Sequence, residues 1–184
     1  VGDAHVENAV KKYGTGSMQF DGTGDYLTIP TSPQLDFGTG DFTIEFWLYL
    51  NSIDSASSVF SKGSYGPYLV YTTGSELTFY SSSTGSSWTV SDLRITSSNL
   101  TTSNWHHVAI TRSGNTFRTF FNGSLANSTT SSHSLVVNST NLDIGRDRSS
   151  TNEINGYIDD FRMTKGVARY TAAFTPPEAK LPNL

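Results

Sequence analysis

Residues 42–50 read Phe-Thr-Ile-Glu-Phe-Trp-Leu-Tyr-Leu, an uninterrupted period-two alternation. A strand turns successive side chains to opposite faces, so Phe42, Ile44, Phe46, Leu48 and Leu50 share one side and Thr43, Glu45, Trp47 and Tyr49 the other. The first set is a core face. The second is amphipathic and is expected to be partly exposed. Helical signals are sparse elsewhere, while serine, threonine, glycine and aromatics abound, the vocabulary of strands and tight turns.

Short apolar runs recur along the whole chain with turn residues between them, which predicts a sandwich or barrel. Ser17-Met18-Gln19-Phe20 is followed by the turn Asp21-Gly22-Thr23-Gly24. The run Trp105-His106-His107-Val108-Ala109-Ile110-Thr111-Arg112 reverses at Ser113-Gly114-Asn115, and Phe117 to Phe121 reverses again at Asn122-Gly123, giving two successive hairpins. Trp105 and Phe117 are expected inside a sheet, with Trp105 in the core. The serine- and threonine-rich stretches 81–87 and 124–134 read as long polar loops. Residues 175–184, with Pro176, Pro177 and Pro182, read as an irregular tail, and helix is limited to about one turn near 165–170. Neither a second domain nor a repeat is evident, so 1–184 is read as one domain.

Several segments resemble, in order, those of laminin-G-like domains of the concanavalin A-like lectin/glucanase type. Residues 16–30 resemble the opening strand pair and Phe42-Thr43-Ile44-Glu45-Phe46-Trp47 the central strand. Residues 104–111 followed by Phe120-Phe121-Asn122-Gly123 are similar to the hallmark hairpin, and residues 155–162 to the last strand. The resemblance implies an all-β, two-sheet antiparallel jelly-roll sandwich. Lys165-Gly166-Val167-Ala168-Arg169-Tyr170, with Phe174-Thr175-Pro176-Pro177, further resembles modules of bacteriophage tail, fibre and virion-surface proteins, many of them marine. Relatives of this kind begin with a strand upstream of Val1; its lack here is expected to leave an edge open to pairing with another chain, including a second copy. With Val1 in place of an initiator methionine, the sequence is read as a processed product or a piece of a longer chain.

Charge narrows the partners. The net charge is −4 and only 15% of residues are charged, which argues against a nucleic-acid backbone as ligand. Lys11-Lys12 is the only basic doublet and reads as a solvated surface. No apolar run approaches the roughly 20 residues that span a bilayer, so membrane insertion is not expected. With no cysteine there is neither disulfide framework nor thiolate metal site.

Catalysis is not expected. Retaining glycosidases need two carboxylates about 5 Å apart, and those that resemble this fold carry a Glu-x-Asp-x-Glu strand. Glu7, Glu45, Glu76, Glu153 and Glu178 are isolated instead. His106 and His107, adjacent on a strand, point to opposite faces and cannot share a ligand; one is expected packed and one solvated. No nucleophile elbow occurs. Four glycosylation sequons, at Asn99, Asn122, Asn127 and Asn138, are of the kind that arise by chance in so serine- and threonine-rich a chain.

Two functional expectations follow. Exposed tryptophan and tyrosine rings stack on sugars, which makes Trp47, Tyr49, Tyr65 and Trp88, with Tyr68 and Tyr80, candidates for a glycan platform; packing inside the sandwich is the competing role of each. The module then recognises a glycan or cell-surface polysaccharide from a virion or extracellular surface, or else makes structural contacts with other virion or surface proteins. The resemblance also implies a structural calcium on Asp159, helped by carbonyls of the Asp21 to Gly24 turn and by the Asp21 carboxylate. Alternatively Asp159 caps a loop by accepting backbone hydrogen bonds.

Overall fold

Alternating apolar and polar residues resolve into two antiparallel sheets. The structure, a computed structural model, describes all residues except 54–56, 64, 67–68, 75, 96–99, 148–151 and 183–184. Its strands are β1 (His5–Glu7), β2 (Ser17–Asp21), β3 (Leu27–Ile29), β4 (Phe42–Leu50), β5 (Ser57–Ser61), β6 (Leu69–Thr73), β7 (Glu76–Ser81), β8 (Val90–Ile95), β9 (Trp105–Ser113), β10 (Thr116–Phe121), β11 (Ser124–Thr130), β12 (Leu142–Ile144) and β13 (Asn155–Lys165). One sheet has seven strands in the order β1-β2-β13-β4-β9-β10-β11, and the other six in the order β3-β12-β5-β6-β7-β8. The chain crosses repeatedly between the sheets, as the expected jelly-roll sandwich requires.

β4 lies at the centre of the larger sheet, paired with β9 and β13. Its inner face, Phe42, Ile44, Phe46, Leu48 and Leu50, is buried in the inter-sheet core against Phe60, Phe79 and Leu93 of the opposite sheet, among others. The β9–β10 hairpin sits inside the sheet, with Phe117 fully buried. Asn122 and Gly123 join β10 to β11 with φ of 48° and 80°, a two-residue turn whose left-handed geometry favours this dipeptide.

β13 carries a bulge that decides which residues face where. Asp159 pairs with Trp47 and Arg162 with Glu45, so two residues, Asp160 and Phe161, stand opposite Phe46 alone. Asp160 takes up the extra residue at φ 50°. Without it the alternation would turn Phe161 outward and Arg162 into the core. With it, Phe161 stacks on Phe46 (5.8 Å) and Arg162 emerges beside Glu45.

Several expectations need correction. The outer face of β4 is not exposed: Thr43, Glu45 and Trp47 are buried and only Tyr49 is half-buried. Residues 166–182 lie across that face as an irregular strap. The helical turn expected near 165–170 is absent there, because Thr43 Oγ1 donates to Val167 O and accepts from Arg169 N, holding the chain extended. Among the described residues the only helical element is the 3₁₀ turn Pro33–Leu35, where Ser32 Oγ accepts from Gln34 N and Pro33 opens the turn. Part of the supposed loop 124–134 is the edge strand β11. Trp105 is not core: it pairs with Tyr49 on the outer face and is half-buried. His106 and His107 do point to opposite faces, but both are buried, since the strap covers the outer one.

Candidate functional site

Under the strap, burial and charge are balanced locally. The Glu45 carboxylate, with no exposure, accepts from Arg162 Nη2 (2.6 Å) and Nε (3.0 Å) and from the Tyr170 hydroxyl (2.8 Å). Arg169 Nε lies 3.9 Å and His107 Nε2 3.5 Å away. Burial alone would raise the Glu45 carboxyl, but the His107 ring beside it and hydrogen bonds from Arg162 and Tyr170 overcome it and hold the group below its ordinary range. Burial and the adjacent Glu45 charge push the Tyr170 phenol well up. Tyr170 and Phe174 stack at 3.6 Å, and Phe174 N donates to Gly123 O across the Asn-Gly turn. A Cβ at Gly123 would come within 1.9 Å of Phe174 O, so the strap can seat only over a glycine.

Trp47 belongs to this buried assembly and is corrected as a sugar platform. It is 5% exposed, its ring set edge-on to Tyr13 (5.8 Å) and His107 (5.1 Å) and capped by the Lys12 ammonium at 4.1 Å. Tyr49 stands in a cross-strand row with Tyr157 (5.5 Å, 78°) and Trp105 (5.4 Å, 57°). These half-buried rings are angled to one another and line no cleft among the described residues. Tyr68 lies outside the described residues, as does Asn99 of the first sequon.

The remaining two candidates come together. Three segments meet at one end of the six-stranded sheet: Lys62, Gly63, Tyr65 and Gly66 after β5, 82–89 after β7, and 131–141 before β12. Tyr65, 45% exposed, packs at 5.2 Å on Trp88, which packs at 5.0 Å on Tyr80. Tyr65 forms one wall of an open cleft of about 340 Å³, whose other walls are Thr84, Val136, Asn138 and Thr140 over glycine backbone at 63, 66 and 85. The walls present an aromatic surface beside short hydroxyl and amide groups.

The loops owe their order to their small polar residues. Ser82 Oγ donates to Ser87 O and accepts from Thr84 N and Gly85 N, while Val136 N donates to Ser82 O and ties the second loop to the third. Leu135, 1% exposed, anchors the third loop in the core. Beneath the cleft Lys62, with no exposure, donates from Nζ to Asp36 Oδ1 (3.0 Å), Asn138 O (2.8 Å) and Asn138 Oδ1 (2.9 Å). Lys62 was not singled out in the sequence. A lysine flanked by Ser61 and Gly63 looks like any solvated surface residue, and only the fold brings Asp36 and Asn138 to it.

Residues 21–169 match the laminin G domain family described as the concanavalin A-like lectin/glucanases superfamily. The chain belongs to that superfamily. Among solved structures, the binding domain of Paraclostridial Mosquitocidal Protein 1 superposes with a TM-score of 0.70 at 13% identity, over 95% of this chain and 44% of that one. Domain 4 of AbnA, a GH43 extracellular arabinanase from Geobacillus stearothermophilus solved in complex with arabinotriose, gives 0.68 at 16%, over 97% and 80%. The Botulinum Neurotoxin serotype G binding domain gives 0.67 at 14%, over 91% and 42%. The chain thus spans less than half of the two toxin domains, and at such identities the likeness is one of fold. A search of curated proteins gives no match.

The calcium expected from the superfamily resemblance was assigned to Asp159 and Asp21 together, and the two do not fit one ion. Asp21 pairs with Asn155, four residues along β13 from Asp159, a separation of about 13 Å at ordinary strand rise. Calcium ligands lie within about 2.6 Å of the ion. Asp159 instead caps the loop before β2: Oδ2 accepts from Lys12 N (2.9 Å) and Tyr13 N (3.0 Å), and Oδ1 from Asp160 N (2.8 Å). Asp21 groups with Asp3 and Asp25, their ligand atoms within 4.8 Å of one another. There Asp25 accepts from Asp3 N and Asp21 N, so backbone donors already serve its two oxygens.

Proposed function

We propose that this chain is a non-catalytic glycan-binding module of an extracellular or surface-exposed protein, with its sugar site at the loop-end cleft. The observation that carries the reading is the exposed Tyr65 ring, backed by Trp88, at the edge of a cleft walled by hydroxyl and amide side chains. Ring faces of this kind stack on the C–H faces of sugars, and short polar groups select hydroxyls. Two structural neighbours described as binding domains, and an arabinanase domain solved in complex with arabinotriose, support a binding role. No helix among the described residues is long and apolar enough to cross a membrane.

A glycan array on the 184-residue chain tests the reading, with Trp88→Ala as control. Array signal that Trp88→Ala loses supports it; signal untouched by Trp88→Ala moves the site elsewhere, and an empty array argues against glycans. The resemblance of 165–177 to bacteriophage tail and fibre modules supports a virion setting, in which many copies would multiply weak single-site affinity. A second reading, a decoration module contacting other particle proteins or another copy of itself, is favoured by β11, an edge strand with mostly exposed residues. Sedimentation of the purified chain at rising concentration distinguishes self-association through that edge.

A further inference from the structure

The cleft has an electrostatic character that none of its wall residues reveals singly. In the sequence of the stretches 62–68, 82–89 and 131–141, the only side chains able to carry a positive or negative charge near neutral pH are Lys62 and His133. His133 stacks on Phe117 at 5.2 Å, with Ser81 and Ser131 hydroxyls on its two ring nitrogens. Burial and the nearby Arg112 depress its pKa, so it is neutral at pH 7.

Lys62 is a cation directly behind the wall, yet it has nothing to offer a ligand. An ammonium has three N–H donors. Here one reaches Asp36 Oδ1, one Asn138 O and one Asn138 Oδ1, so all three are used and Asp36 cancels the charge. Their product is a fixed Asn138. Its Oδ1 is saturated by Lys62 Nζ, Thr140 N and Thr140 Oγ1, which fixes the side chain in the cleft wall. Gly66 completes the arrangement, since a Cβ there would fall 1.6 Å from Lys62 O.

Resting on the glycan reading, we infer that the cleft accepts uncharged saccharides and rejects those bearing carboxylate, sulfate or phosphate, with Lys62 as a positioning residue rather than a ligand-binding cation. An anionic sugar would leave water without finding a counter-charge, on a chain whose own net charge is −4. A neutral sugar loses only hydroxyl hydration, which the second Asn138 Nδ2 hydrogen and the Thr140 hydroxyl oxygen can replace.

The test is calorimetric titration of the full chain with matched oligosaccharide pairs chosen from array hits, one member having a single hydroxymethyl oxidised to carboxylate. The neutral member is expected to bind at least about tenfold more tightly. Equal or tighter binding of the carboxylate member, abolished by Trp88→Ala, overturns the inference while leaving the glycan reading intact. Binding of neither member to wild type overturns the glycan reading, and this inference with it. Asp36→Asn keeps the shape and releases the Lys62 charge. The preference for the neutral member is expected to fall at least about threefold, an effect that a purely structural role for the pair would not produce. An unchanged preference removes Lys62 and Asp36 from the account.

Discussion

Two of the aromatic clusters on this sandwich differ in access more than in chemistry. Trp47, Tyr170 and Phe174 gather over the seven-stranded sheet, and Tyr65, Trp88 and Tyr80 at the end of the six-stranded one. The first cluster lies in the layer between strap and sheet, closed around a carboxylate with two arginines, a phenol and an imidazole nearby. The second stands on loops with one ring 45% exposed. A strand pattern tells which rings leave the core, but a distant segment decides whether they meet solvent. The strapped cluster is architecture, and the open one is where we propose that a ligand binds.

The sharpest way to break this contrast is to remove one tryptophan from each cluster. Trp47→Ala is expected to cost about 3–5 kcal/mol in denaturant unfolding while leaving glycan affinity of the folded fraction unchanged. Trp88→Ala should cost about 1 kcal/mol or less and weaken glycan binding at least about tenfold. Exchange of these outcomes would invert the assignment of the clusters. Glu45→Gln, which leaves Arg162 facing a neutral amide in a buried site, should cost about 2–4 kcal/mol in the same experiment.

A smaller effect, about 1–3 kcal/mol, is expected for Asp159→Ala, because three backbone N–H groups lose their acceptor. If hydrogen bonding is its whole role, wild type melts at the same temperature with and without chelator; a calcium-dependent shift lost in Asp159→Ala would restore the metal to that residue. The mildest test is pH. Burial lowers His106 and His133 below the ordinary 6.5, so the fold favours their neutral forms. Stability from both is fully present above about pH 6.5 and declines as pH falls below it. Glu45, held below 4.5, adds a second loss only as pH falls under that value. Urea midpoints between pH 8 and 3 should therefore fall in two stages, and His133→Gln should diminish only the first.

Much of the architecture was legible because it is written locally. The alternation of 42–50 marks the core face, and Asn122-Gly123 marks a turn whose dihedral angles few other residues adopt. The isolation of the glutamates is visible without coordinates. What stayed hidden is non-local. Nothing in 166–182 has strand or helix periodicity, so its seat over Trp47 could not be read, and Trp47 looked exposed. β11 is an edge strand with mostly exposed residues, so Ser124 to Thr130 carry no alternation and resemble a loop. The bulge at Asp160 cannot be counted from sequence, although it alone turns Arg162 toward Glu45. At the cleft, Tyr65 and Trp88 were legible as aromatics among polar residues, whereas Lys62 depends on partners 26 and 76 positions away.

The strap also bears on how long the folded molecule lasts. Its bonds to Thr43 and Glu45 join residues more than 120 positions apart and need β4, β9, β13 and the Asn-Gly turn already in place. Contacts of that kind are expected to form late, after the folding barrier has been crossed, and so to slow escape from the native state without hastening arrival. Tyr170→Phe, which removes one hydroxyl from Glu45, should accordingly steepen the unfolding decay while refolding proceeds at the wild-type rate. Residues 166–182 then act as a latch on the lifetime of the folded state.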